Sequence, residues 1–187
     1  TWQRVVAAAM AAIVVFVGLP AAPALADNTL ANSKIKLGGA SSSTLDSLGS
    51  KKTITRGVNL NGGKFSGQDL TGVSYQQSLV RNAEFRGSKL IGASFFDADC
   101  LGADFSGADL TQANLELAQL TDADLTNAIV VEAYVNGTTR LEVKSVEGAD
   151  FTDTPLRKDQ QNYLCSIAKG TNPTTKVDTR ESLRCPE

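Results

Sequence analysis

Residues 93–127 divide into seven consecutive units of five residues, which read ASFFD, ADCLG, ADFSG, ADLTQ, ANLEL, AQLTD and ADLTN. Every unit begins with alanine and carries a phenylalanine, leucine or cysteine at its third position. This five-residue period matches neither the 3.6-residue period of a helix nor the two-residue period of a simple strand. Each unit is therefore expected to form one short extended side followed by a bend.

The apolar series of these units continues in both directions along the chain. Every fifth residue from Leu60 to Val135 is apolar, which gives sixteen members without a break. By chance alone, such a run would occur with a probability on the order of one in a million. From Phe95 to Val135, the residue two positions before each member is alanine, in an unbroken series from Ala93 to Ala133. This small residue allows a tight corner beside the core. The series predicts an all-β solenoid with these apolar residues inside.

Similar residues also recur every twenty positions, which predicts four units per coil and hence a four-sided solenoid. The inward ladder with this spacing is Phe65, Phe85 and Phe105. Residues that tolerate the positive φ of a type II turn recur with the same spacing. These corner residues are Gly67, Gly87, Gly107 and Asn127. We predict about five coils, stacked at roughly 4.8 Å, with an interior filled by side chains.

The five-residue register shifts by one position at Asn136-Gly137. The apolar series resumes at Leu141 and continues through Val146 and Phe151 toward Leu156. Because an Asn-Gly pair tolerates left-handed backbone, we predict that conformation at the inserted residue.

Units such as ADFSG (103–107) and ADLTQ (108–112) resemble the A(D/N)LXX unit of the pentapeptide-repeat family. The resemblance implies a right-handed quadrilateral β-helix and no established catalytic role. The segments 92–99 and 149–153, with the tail from Tyr163 to Cys185, are similar to thylakoid lumenal pentapeptide-repeat proteins of chloroplasts. This resemblance covers residues 60–187 and implies a chloroplast thylakoid lumen location, with a bacterial periplasm or a cyanobacterial lumen as alternatives.

The N-terminal segments have a different composition. Residues 1–26 place Arg4 before an apolar run and end in Ala24-Leu25-Ala26, which is typical of a cleaved signal peptide. The alternative is a retained membrane anchor, although the run is short for a bilayer span. Residues 27–53 are rich in glycine and serine and are predicted to form a flexible arm. Alternatively, its aliphatic side chains pack along the solenoid or on a partner: Ile35, Leu37, Leu45 and Leu48.

The C-terminal segment is expected to form a short helical cap. We assign residues 54–153 to the solenoid and 154–187 to the cap, with a helix that opens at Thr154-Pro155 and stops near Gly170. Cys165 and Cys185 are predicted to form a disulfide in an exported chain, with two free thiols as the alternative. Cys100 falls at an inward position and is interpreted as a small core residue.

Composition and motifs argue against an enzyme. The chain has no histidine and a net charge of −2, so the commonest general base is absent and no strong field attracts nucleic acid. No catalytic residue, metal or cofactor is predicted. Glu84, Asp104 and Asp124 form an outer acidic column, which indicates either a site for a basic partner or a cation, or a solvated face beside Arg86.

The predicted function is a non-catalytic protein-binding, scaffolding or assembly role in the thylakoid lumen, without a membrane span after cleavage. The unidentified partner could belong to a thylakoid complex, and the sequence does not indicate the oligomeric state. The alternative is a DNA-mimic inhibitor of a DNA-binding enzyme, as in some relatives with acidic columns. Exposed apolar clusters often mark interaction sites, and outward apolar residues fall on two adjacent sides. The candidate partner surface consists of Ile91, Phe96, Leu117, Ile129, Val131 and Tyr134. The arm or the C-terminal helix could instead cover it.

Overall fold

The structure is a computed structural model that describes residues 56–186. The predicted signal peptide (1–26) and arm (27–53) lie outside the described residues. The backbone forms single-residue parallel β-bridges in place of long strands, and bridged residues are twenty positions apart, as in Asn59 with Leu79. The bridges run along four sides of a solenoid. Side 1 carries Asn59, Leu79, Asp99, Gln119 and Arg140; side 2 carries Lys64, Glu84, Asp104, Asp124 and Ser145; side 3 carries Asp69, Lys89, Asp109, Ile129 and Asp150; side 4 carries Ser74, Ser94, Asn114 and Tyr134.

Backbone hydrogen bonds connect each coil to the next. The Leu60 amide donates to the Leu79 carbonyl (2.7 Å), and the Leu79 amide donates back to the Val58 carbonyl (2.9 Å). The same pattern recurs on all four sides, so each coil provides the backbone partners of its neighbours.

The core is built from stacked aromatic rings. The Phe85 ring stacks on Phe65 with centroids 4.9 Å apart and on Phe105 with centroids 5.0 Å apart. The Tyr75 and Phe95 rings form a second stack at 4.9 Å, and the two stacks meet edge to face. Fully buried alanines line the corners beside them. The Phe65, Phe85 and Phe105 ladder therefore lies inside the solenoid.

The corners have the backbone conformation that the glycine spacing predicts. Gly107 has a φ of 64°, and Asn127 has a φ of 57° at the same corner of the next coil. Several other corners carry no glycine, and ordinary residues have positive φ there. Leu117 is one of these, with a φ of 61°.

The predicted one-residue insertion is present, but its conformation differs from the prediction. The bridge spacing changes from twenty to twenty-one residues at Gln119 with Arg140, and Leu141, Val146 and Phe151 are buried beyond it. Neither Asn136 nor Gly137 has positive φ, so the left-handed prediction is wrong. Instead, Asn136 Oδ1 accepts hydrogen bonds from the Thr138 amide (3.1 Å) and hydroxyl (2.6 Å), which folds the insertion around a side chain.

Two helices follow the solenoid, α1 at Lys158–Ile167 and α2 at Thr179–Ser182. The prediction that a helix opens at Thr154-Pro155 is wrong. The Thr154 hydroxyl donates to the Val130 carbonyl and accepts from the Ala133 amide, which holds Thr154 in the coil. Gly170 lies three residues beyond α1 and adopts a φ of 82°. Within residues 56–186, neither helix has the length and apolar character that a membrane span requires.

Candidate partner-binding surface

The six residues of the candidate partner surface point outward from two adjacent sides, as the period predicts. Ile91, Ile129 and Val131 lie on side 3, and Phe96, Leu117 and Tyr134 lie on side 4 or its corner. The buried neighbours of these residues anchor them, because each adjacent core position is packed inside the solenoid.

The structure divides these six residues into separate groups. Ile91 and Phe96 occupy consecutive units of one coil, whereas Ile129, Val131 and Tyr134 lie together two coils further along. On side 3, Thr111 stands between Ile91 and Val131 in the backbone ladder. On side 4, Asn114 and Glu116 occupy the intervening coil. The surface is therefore two apolar clusters separated by a coil in which Leu117 is the remaining apolar member among polar side chains.

Two of these six side chains are more exposed to solvent than the others. Tyr134 is 57% exposed and Leu117 is 38% exposed, while the other four are half-buried. Leu79 and Leu101 are also exposed, at 40% and 37%, and both belong to side 1. Both occupy outward positions of the same period, although neither belongs to the predicted partner surface. Exposed apolar residues are thus not confined to sides 3 and 4.

The acidic column on side 2 is largely paired with basic side chains. Asp104 Oδ2 accepts a hydrogen bond from Arg86 Nε at 2.5 Å, and Asp124 lies 3.4 Å from Lys144 Nζ. Partial burial acts to raise the pKa of Asp104, but hydrogen bonds from Ser106 and Arg86 outweigh burial and lower it below its usual value. No cluster of three or more metal-ligating side chains occurs among residues 56–186. This arrangement matches a solvated, charge-paired face.

Unlike the acids of side 2, the acids at the corners of side 4 form no salt bridges within the described residues. Of the eight aspartates and glutamates in residues 96–135, Asp97, Glu116 and Glu132 lie at the corners of side 4. Asp97 accepts a hydrogen bond from the Gln77 amide group (3.3 Å), and Glu132 accepts one from the Gln112 amide group (2.7 Å). Among the described residues, neither of these acids nor Glu116 forms a salt bridge. Within the described residues, three acids without salt bridges therefore lie at the corners of side 4, beside its apolar side chains.

The C-terminal segment binds the end of the solenoid. The buried Asn172 side chain donates to the carbonyls of Asn127 (3.3 Å), Ala128 (3.2 Å) and Gly148 (2.8 Å). Gln160 Nε2 donates in the same way to the Asn136 and Thr139 carbonyls. These hydrogen bonds place the C-terminal segment on the last coil instead of on the candidate partner surface.

The three cysteines comprise one disulfide pair and one free thiol. Cys165 and Cys185 form a disulfide with Cα atoms 5.6 Å apart, which links α1 to the end of the described chain. Cys100 is a free thiol inside the core, and burial raises its pKa. A buried neutral thiol is a poor nucleophile and a poor metal ligand.

Comparison with known proteins identifies the repeat. The family model for pentapeptide repeats matches residues 98–137 with eight copies. Thylakoid lumenal 15 kDa protein 1, chloroplastic, of Arabidopsis thaliana is 51% identical over 49 residues, which are 26% of this chain and 22% of that protein. Thylakoid lumenal protein TL20.3, chloroplastic, of the same plant is 55% identical over 40 residues, which are 21% of this chain and 14% of that protein. The chain thus matches less than a quarter of the length of either relative.

A solved structure extends the similarity to most of the chain. The crystal structure of a pentapeptide repeat protein from the Arabidopsis thaliana thylakoid lumen is 48% identical, with a TM-score of 0.68. The match covers 71% of this chain and 92% of that one. The similarity confirms the predicted right-handed quadrilateral β-helix.

Proposed function

This chain belongs to the pentapeptide-repeat family, as a member of its chloroplast thylakoid lumen group, and we propose that it acts there as a non-catalytic protein-binding scaffold. The proposed contact surface comprises the two apolar clusters of sides 3 and 4. The partner is a protein, and a thylakoid complex is a candidate source.

Tyr134 is the observation that carries this proposal. Tyr134 is 57% exposed, near the half-buried Ile129 and Val131, on a rod whose interior is closely packed. An exposed aromatic residue on a rigid support loses little conformational entropy when a partner covers it. Aromatic anchors of this kind often dominate the binding energy of protein interfaces.

A catalytic role has little support. Pentapeptide repeat proteins are generally non-catalytic, and this chain contains no histidine. A role as a DNA mimic needs an open acidic surface, but Arg81 binds Asp99 at 2.5 Å and Arg86 binds Asp104. We therefore do not adopt that alternative.

We also propose that residues 154–187 form a cap that ends about five coils. Solenoid ends expose unpaired backbone groups, which are a template for association with other chains. The Asn172 and Gln160 side chains satisfy carbonyls at this end, and the Cys165–Cys185 disulfide restrains the segment that carries Asn172. The cap leaves the long sides of the rod as the surface for a partner.

Affinity capture with matched variants tests the function. The processed protein is used to capture proteins from thylakoid lumen and membrane extracts, and the eluates are compared by quantitative mass spectrometry. Phe96→Ser with Tyr134→Ser should remove the captured partner, whereas Leu79→Ser with Leu101→Ser on side 1 should retain it. Circular dichroism confirms that both variants fold. Equal capture by the two double variants would refute the assigned surface.

A further inference from the structure

The described chain enters the solenoid on side 4. Arg56 occupies, in the first coil, the position that Gln76 and Phe96 occupy in the next two coils. Its guanidinium donates a hydrogen bond to Gln77 Oε1 at 2.9 Å. The residues before Arg56 are therefore attached to the solenoid at the N-terminal end of the side that carries Phe96 and Tyr134.

The charge of the attached segment complements that of side 4. We call residues 35–53 the basic arm, because it contains Lys36, Lys51 and Lys52 against the single acid Asp46. Three acids lie at the corners of side 4: Asp97, Glu116 and Glu132. Around side 4 these acids are not neutralised by salt bridges within the described residues. Opposite charges on tethered segments favour their association.

The basic arm also carries apolar side chains for which the solenoid core has no position. Ile35, Leu37, Leu45 and Leu48 precede the five-residue series that begins at Leu60. We propose that these aliphatic side chains pack against Phe96, Leu117 and Tyr134 on side 4 of the same molecule. The lysines of the arm then lie near the acids at the edges of side 4.

The length of the arm matches the distance that it must span. Phe96 lies two coils from Arg56 and Tyr134 nearly four, or about 10 Å and 19 Å at roughly 4.8 Å per coil. A glycine- and serine-rich chain from Leu37 to Arg56 has an expected root-mean-square span of about 24 Å. When linker length and span agree, the effective concentration of the tethered segment is in the millimolar range. A weak contact is then occupied without a second molecule.

A second copy of the chain is a less suitable occupant. The basic residues of the first two coils lie mainly on other sides, so one copy cannot present them together to side 4 of another. Arg81 lies on side 1, Lys64 and Arg86 on side 2, and Lys89 on side 3. The basic arm has no such restriction.

The inference rests on the proposed function in one respect only. If side 4 also binds a protein partner, that partner must displace the arm, and the arm then limits access to Phe96 and Tyr134. The packing of the arm itself does not depend on any partner.

Photo-crosslinking of the purified, natively processed protein tests this packing. Phe96→benzoylphenylalanine should form intrachain adducts with peptides from residues 35–48. The yield should not depend on protein concentration and should exceed that of Leu79→benzoylphenylalanine about tenfold. Ile35→Ser with Leu37→Ser, which leaves the solenoid unchanged, should reduce the adduct to the control level.

Two results would overturn the inference. Adducts at the mass of a dimer, with a yield that rises with concentration, would identify a second copy as the occupant. A yield at position 96 no higher than at position 79 would show that the arm does not contact side 4. The experiment contains no partner, so neither result bears on the capture experiment that tests the proposed function.

Discussion

The substitution Phe85→Leu should destabilise the solenoid more than any other phenylalanine-to-leucine change. Phe85 contacts four aromatic rings, with centroid distances of 4.9, 5.5, 5.6 and 5.0 Å. Aromatic pairs contribute about 0.5–1.5 kcal/mol each beyond the burial of their area, so four pairs amount to roughly 2–6 kcal/mol. Leucine fits the column, because Leu125 occupies the equivalent position two coils away.

Phe151→Leu is the matched control. Phe151 is also buried, but it takes part in none of the ring contacts found among residues 56–186. Both substitutions lose the same side-chain volume, so the difference between them isolates the aromatic ladder. Urea unfolding monitored by circular dichroism should place Phe85→Leu at least about 2 kcal/mol below Phe151→Leu. Equal free energies of unfolding would show that the ladder acts only as apolar filling.

Three further predictions concern the cap and the charged surface. Asn172→Ala removes the donor that three carbonyls share, although the Ala128 carbonyl still accepts from the Asp150 amide, and should cost about 2–4 kcal/mol in urea unfolding; exposed Asn162→Ala should change little. Reduction of the Cys165–Cys185 disulfide removes roughly 3 kcal/mol of chain restraint, so thermolysin should cleave residues 154–186 before the coils; simultaneous cleavage of both regions would contradict the capping role. The folded-state pKa of Asp104 is lowered, so its stabilisation is present above the unfolded value of about 3.9 and disappears as the pH falls through the lower folded value. Asp104→Asn should therefore flatten the decline in stability below about pH 4, and an unchanged acid-unfolding profile would count against this contribution.

The repeat itself could be predicted from the sequence because each inward position has an independent copy twenty residues away. Phe65, Phe85 and Phe105 identify one column, and the glycine column ending at Asn127 identifies a corner. A regular solenoid contacts only neighbouring repeats, so local pattern and tertiary structure coincide. This coincidence explains the agreement between the predicted and observed side chains in the core.

The departures from prediction occur where the repeat ends or has an insertion. The helix begins at Lys158 instead of Thr154-Pro155 because the Thr154 hydroxyl bonds to residues twenty-one or more positions earlier, which no local signal shows. At the insertion, the Asn136 side chain supplied the turn, so Gly137 did not need left-handed backbone. In both places the hydrogen bonds of one side chain outweighed backbone propensity.

The candidate partner surface was harder to predict than the core. The period identifies which residues point outward, but exposure depends on the neighbours in the coils above and below. Phe96 is half-buried between Gln76 and Glu116, while Tyr134 near the end of the solenoid is mostly exposed. Leu79 and Leu101 are exposed apolar residues outside sides 3 and 4. An outward apolar position is therefore not sufficient to identify the partner surface.

The most direct test of the proposed scaffold function is site-specific crosslinking in thylakoid extract. Tyr134→benzoylphenylalanine on the natively processed protein is irradiated in the extract, with Leu79→benzoylphenylalanine as the control, because both side chains are exposed but lie on different sides of the four-sided rod. We expect an adduct with another protein from position 134 that is absent from position 79. Equal adducts from both positions, or none from position 134, would contradict a partner surface on sides 3 and 4.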